Sequence, residues 1–139
     1  MLKDALKDAQ DKSILSSLHK NLHYKMLASL PGCSQQQWHK DIRRDTLACS
    51  KIPLLSLIVA ISDNTVVKVK YGEDIILNTG DYVVFGSRVV HAGSAYRNAH
   101  VRLFSYIGPK DFPIPNKTDY NAEFSDSDSE GTRQKSYEL

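Results

Sequence analysis

Three patterns of hydrophobic and polar positions follow one another along the chain. In residues 1–30 the apolar positions recur every three or four residues. Leu2, Ala5, Leu6 and Ala9 make one stripe, and Leu15, Leu18, Leu22 and Met26 make a second after a phase break near Ser13. This spacing predicts one or two amphipathic N-terminal helices, ended by Pro31-Gly32, which removes an amide donor and relaxes the backbone. From residue 35 to 107 the helical period disappears. A dense apolar run at 54–61 predicts a buried strand, and 65–71 alternates, with Val67 and Val69 on one face and Lys68 and Lys70 on the other. Short strands follow at 75–77, 82–85, 89–91 and 100–107, with an Asn78-Thr79-Gly80-Asp81 turn between the first two. Short strands with turn residues between them predict a small antiparallel sandwich or barrel, so the chain is mainly β. After Gly108-Pro109 the pattern lapses into prolines and then Ser-Asp-Ser-Asp-Ser-Glu from Ser125. Such a stretch has too little to bury to offset its ordering entropy. The expected organisation is therefore a helical segment at 1–30, a β core at 31–112 and a disordered, acidic, Ser-rich tail at 113–139.

Charge and composition narrow the function classes. A net charge of +2, without any Lys/Arg block, excludes the electrostatic footprint of a nucleic-acid binder. The longest apolar run, at 53–61, is too short to span a bilayer, and the Lys/Asp/Leu alternation at the start lacks the apolar core of a signal peptide. Two cysteines, Cys33 and Cys49, without CxxC spacing, make no disulfide scaffold and carry no thiolate-activating context. The expectation is a soluble, cytoplasmic protein that binds neither membrane nor nucleic acid; so small a barrel with an amphipathic helix could form a homodimer. Ser125 and Ser127 each precede an acid by three residues, as acid-directed kinases prefer, but a solubilising tail is the simpler reading.

The chemistry concentrates in His39-Lys40-Asp41. On a strand, residues two apart project from the same face, which sets an imidazole and a carboxylate side by side as metal ligands need. Alone, this spacing is common. His91 strengthens it, because a Gly80-Asp81 turn, a strand, a second glycine turn at Gly86 and a histidine on the next strand can return His91 to the same barrel mouth. Two histidines and one carboxylate on one face of a metal leave three positions open, the facial arrangement of non-haem Fe(II) oxygenases. Arg102 follows eleven residues after His91, in phase with His100, Phe104 and Tyr106. An inward arginine beside a metal is an uncompensated buried charge unless a carboxylate ligand arrives to pair with it.

Gln37-Trp38-His39-Lys40-Asp41, then Gly80-Asp81-x-x-x-Phe85, then His91-Ala92-Gly93 and Arg102-Leu103, resembles the 2-oxoglutarate/Fe(II)-dependent dioxygenases, in particular the phytanoyl-CoA and prolyl-hydroxylase types. The resemblance covers about half of the chain, residues 35–107. It implies a double-stranded β-helix, the jelly-roll or cupin-like barrel, with iron held by His39, Asp41 and His91. It implies that Arg102 anchors the distal carboxylate of 2-oxoglutarate and that an unidentified substrate, a small molecule or a protein side chain, is hydroxylated. Members of that family usually exceed this chain's length, so the expectation is a substrate side that is stripped down, completed by a partner or lost. Cupins share the barrel, and Gly80 and His91 match their spacing. However, Gly86, Arg88 and Ala95 stand where their Pro, Gly and Asn belong, and His39-x-Asp41 then Asp45 replaces their His-x-His then Glu.

Other positions are weaker candidates. Trp38, Tyr82, Arg97 and Tyr106 are candidates for the substrate pocket. Arg88 could meet an acidic substrate, and Arg102 could instead form a structural ion pair with Asp81. His19 and His23, four apart on the expected helix, read as solvent-facing. Two further functions remain open from sequence: a non-catalytic or degenerate barrel that binds without turnover, and a cupin-like metal enzyme that uses no 2-oxoglutarate.

Overall fold

The structure is a computed structural model and describes residues 1–42, 51–110, 112 and 134–138. Asp45, Cys49, Ser125, Ser127 and the acidic run lie outside the described residues. Helix α1 (Leu2–Asp11) buries Ala5 and Ala9 and sets the Lys7–Asp11 and Lys12–Asp8 ion pairs, 2.8 and 2.9 Å long, towards solvent. It ends where the phase breaks. Ser13 takes a left-handed φ of 59°, and the amides of Ile14 and Leu15 both return to the Ala9 carbonyl.

The second helix expected from Leu15 to Met26 is not formed. Residues His19–Ser29 are strand β1, which carries both His19 and His23. The leucine stripe was coincidental: Leu15 is buried under α1, whereas Leu18 is 62% exposed, so the two cannot share a core-facing helical face. A long antiparallel ladder with β7 (His100–Pro109) holds the segment extended, from His19 opposite Pro109 to Ser29 opposite His100, with one irregularity between Asn21 and His23. Non-local pairing of this kind overrides local propensity. His19 is also buried rather than solvent-facing; its Nδ1 lies 2.9 Å from the Ser16 hydroxyl.

The remaining strands are β2 (Leu55–Ala60), β3 (Thr65–Val69), β4 (Ile75–Leu77), β5 (Tyr82–Gly86), β6 (His91–Gly93) and β8 (Gln134–Glu138). One sheet has the order β5-β2-β7-β1-β8 and the other β4-β3-β6. The smaller sheet is extended by the irregular segment 33–41, which runs antiparallel beside β6 through bridges at Cys33/Tyr96 and His39/His91. The large sheet thus takes strands from both sides of the expected 31–112 core. In particular, residues 134–138 of the expected disordered tail form an edge strand on β1. Two type II-like turns fix the connections. Gly32 (φ 73°) follows Pro31 in a turn closed by the Cys33 amide on the Leu30 carbonyl, and Gly80 (φ 89°) sits in one closed by Asp81 on Asn78.

The alternation along the strands separates two cores. Leu57, Val59, Leu103 and Ile107 point outward from the large sheet and are covered by α1 through Ala5 and Ala9. Ile58, Ala60, Phe104 and Tyr106 point inward and meet Ile42, Val67 and Leu77 from the facing side. The architecture is a double-stranded β-helix, with α1 against the outside of its larger sheet.

Candidate metal centre

The interior face of the barrel brings the expected ligands together. His39 Nε2 lies 3.4 Å and His91 Nε2 3.3 Å from Asp41 Oδ1. All three side chains are buried, and among the described residues they form the one cluster of three groups suited to hold a metal. His39 and His91 are also cross-strand neighbours, their backbones bonded in both directions at 3.0 Å and their ring centroids 4.4 Å apart.

Each ring is fixed in the same way. His39 Nδ1 is 2.8 Å from the Gln37 carbonyl, and His91 Nδ1 is 2.9 Å from the Val89 carbonyl. A carbonyl can only accept, so each Nδ1 carries the proton and each Nε2 is turned to the centre. Phe85 packs edge-on to His91, with centroids 4.7 Å apart. The other oxygen of Asp41 accepts a 2.6 Å hydrogen bond from the fully buried Ser56 hydroxyl. Ser56 faces inward because it shares the parity of Ile58 on β2.

Electrostatics make this a trap for positive charge. Two neutral rings would aim lone pairs at a buried carboxylate, so the arrangement is favourable only with a proton or a cation among the three groups. Burial alone pushes the Asp41 carboxyl up, but hydrogen bonds and charge from His39 and His91 outweigh it and hold the group well below the ordinary carboxylate range. Burial likewise pushes the His91 imidazole down, and the Asp41 contact more than reverses it, leaving a net upward shift. A divalent metal fits the same space. Two ligands at about 2.1 Å from an ion and at right angles are about 3 Å apart, close to the observed separations.

A cavity of about 140 Å³ opens on this centre. Arg102 lines it from β7, 3% exposed, and donates from Nη1 to the Ser29 hydroxyl at 3.2 Å. Burial lowers its affinity for its proton. The ion pair with Asp81 is not formed, because the Asp81 carboxylate instead accepts the Asn78 amide of its own turn. Tyr106 also lines the cavity.

Three of the four pocket candidates lie elsewhere. Trp38 adjoins His39 and so projects from the opposite face, where Lys70 Nζ stands 5.7 Å from its ring centroid. Tyr82 shares the outward parity of Val84 and donates to Asp8 of α1 at 2.6 Å, and burial and this bond push its phenol up to about 12. Arg97 is exposed in the bend before β7. Arg88 donates to the Ile42 carbonyl at 2.9 Å. Residues that sequence reasoning missed are Ser56, Gln36 and Lys25, the last two of which line the cavity.

No family model matches the chain, and no curated protein matches it. Among solved structures it is similar to AviO1 from Streptomyces viridochromogenes Tue57, with 15% identity over 70% of this chain and a TM-score of 0.54. It is also similar to EvdMO1, with 11% identity over 73% of this chain and the same TM-score of 0.54. The chain spans 54% of AviO1 and 30% of EvdMO1. A cupin protein from Bacteroides fragilis aligns over 78% of this chain and 79% of its own length, with 12% identity and a TM-score of 0.43. The likenesses to AviO1 and EvdMO1 are of fold. No helix among the described residues is long and apolar enough to cross a membrane.

Proposed function

We propose that the protein is an Fe(II)- and 2-oxoglutarate-dependent oxygenase. The observation that carries this reading is the convergence of His39, Asp41 and His91 at one end of a cavity whose wall also holds the buried Arg102. His39, Asp41 and His91 would hold a metal with two imidazoles and one carboxylate, the donor set of non-haem iron oxygenases. Iron bound there would supply oxygen activation, and 2-oxoglutarate the accompanying electrons.

The chain's own residues would do the positioning. The Gln37 and Val89 carbonyls fix both rings, and Ser56 holds the Asp41 carboxylate, so that none of the ligands needs to rotate on binding. Arg102 offers a planar, multiply donating head to a carboxylate. Among the described cavity-lining residues the carboxylate is Asp41, which is engaged by both histidines and Ser56; a carboxylate on the co-substrate would match the donors of Arg102 in charge and geometry.

The test is anaerobic addition of Fe(II) and then 2-oxoglutarate. The expected result is the weak visible charge-transfer band of a chelated 2-oxo acid, with succinate formed on admitting air and lost in Asp41→Ala. Metal binding without the band would favour a cupin-like metal enzyme that uses no 2-oxoglutarate. Failure to bind any divalent metal would favour a non-catalytic barrel.

A further inference from the structure

The cavity wall holds a polar group that neither the metal centre nor Arg102 employs. Gln36 lines the cavity on the segment beside β6, and its Oε1 accepts the Gly93 amide at 2.7 Å. A backbone N–H can only donate, so this bond fixes which end of the carboxamide is which. The Nε2 end, with two N–H groups, is therefore directed away from Gly93, and among the described residues it has no hydrogen-bond partner.

Its place along the segment is informative. Cys33 pairs with Tyr96 at one end, beyond the turn that follows Ser29, the acceptor of Arg102. His39 pairs with His91, and the Asp41 amide reaches the Ser87 carbonyl, at the other end. Gln36, whose own amide bonds the Gly93 carbonyl at 2.9 Å, lies between the arginine end and the ligand end. A molecule stretched from the metal to Arg102 would pass it. The cavity's other charged heads outside the metal centre, Lys25 and Arg102, also bring only donors, so the lining suits a ligand rich in acceptor oxygens.

We infer that Gln36 is a positioning residue for 2-oxoglutarate, its Nε2 donating to a carboxylate oxygen of the bound co-substrate; this rests on the function proposed above. Two substitutions separate this role from a structural one. Gln36→Glu keeps an oxygen for the Gly93 amide but replaces the donor by an anion facing an anion. Gln36→Leu removes both bonds.

The experiment is calorimetric titration of the full chain, loaded with redox-inert Co(II), with 2-oxoglutarate. A hydrogen bond to a charged group corresponds to about a tenfold to hundredfold loss of affinity in Gln36→Leu. Gln36→Glu should lose at least as much, with Co(II) affinity and melting temperature close to wild type. If Gln36→Glu binds 2-oxoglutarate as tightly as wild type, Gln36 serves only the Gly93 contact and the inference is overturned, while the oxygenase reading stands. If Co(II)-loaded wild type itself does not bind 2-oxoglutarate, that reading fails and the inference falls with it.

Discussion

Ser56→Ala is the most direct probe of how the candidate metal centre is built. The Ser56 hydroxyl is fully buried and donates at 2.6 Å to the Asp41 oxygen that does not face the histidines. Removing it leaves a buried carboxylate oxygen without its donor. Hydrogen bonds to charged groups contribute about 1.5–3 kcal/mol, so the metal-free protein should lose stability of that order in urea unfolding. The effect on the metal has a separate origin. Asp41 can turn about its side-chain torsions once Ser56 no longer holds it, and loss of such an outer partner weakens metal binding by about 10- to 100-fold, or about 1.4–2.7 kcal/mol. Co(II) titration against a competing chelator measures this, with Ser56→Thr, which retains a hydroxyl, recovering most of the affinity. Wild-type Co(II) affinity in Ser56→Ala, alongside the expected loss of metal-free stability, would show that Asp41 is not a ligand oriented from β2.

Three other outcomes are expected. In the metal-free protein the raised His91 value means that the His91–Asp41 contact contributes fully below the unfolded value near 6.5 and is lost as pH rises through the higher folded value; Asp41, shifted down, contributes above about 3.8 and is lost only in strong acid. Metal requires the same histidine unprotonated, so the rise in Tm on adding Co(II) should grow between about pH 6 and about pH 8, and a pH-independent rise would contradict the assignment. Arg102→Met should leave Co(II) affinity unchanged and weaken 2-oxoglutarate binding by about 2–5 kcal/mol, read by calorimetry. Leu57→Ala, at a fully buried position under α1, should cost about 2–5 kcal/mol in urea unfolding without altering Co(II) affinity.

Much of the barrel is legible in the sequence because its signals are local. The alternation in residues 65–69 and the glycines at 32 and 80, both with positive φ, mark strands and turns that form where the pattern places them. Strand β1 is not legible, because its extended state comes from pairing with β7, some eighty residues away, while its apolar residues happen to fall at helical intervals. The candidate ligands are legible because i and i+2 share a face, and Arg102 and Tyr106 because they share parity with inward Phe104. The same rule explains the misplaced candidates: Trp38 adjoins a ligand and Tyr82 adjoins inward Val83, so both face away. Ser56 looks like a gap in the apolar run Leu-Ser-Leu-Ile-Val-Ala, and Gln36 is one of three successive glutamines. Only the register of each segment against its neighbour distinguishes them.

Both histidines are held by the main-chain carbonyl two positions before them, whereas Asp41 relies on another residue's side chain. The vulnerability of the centre to mutation is therefore lopsided. The identities of residues 37 and 89 can drift without disturbing the imidazoles, because a carbonyl survives every substitution that leaves the local path of the chain intact. The carboxylate arm has no such insurance: a single base change at Ser56 is enough to unfasten it. In a library of random variants, loss of metal binding with retained folding should accumulate at position 56 and be scarce at 37 and 89.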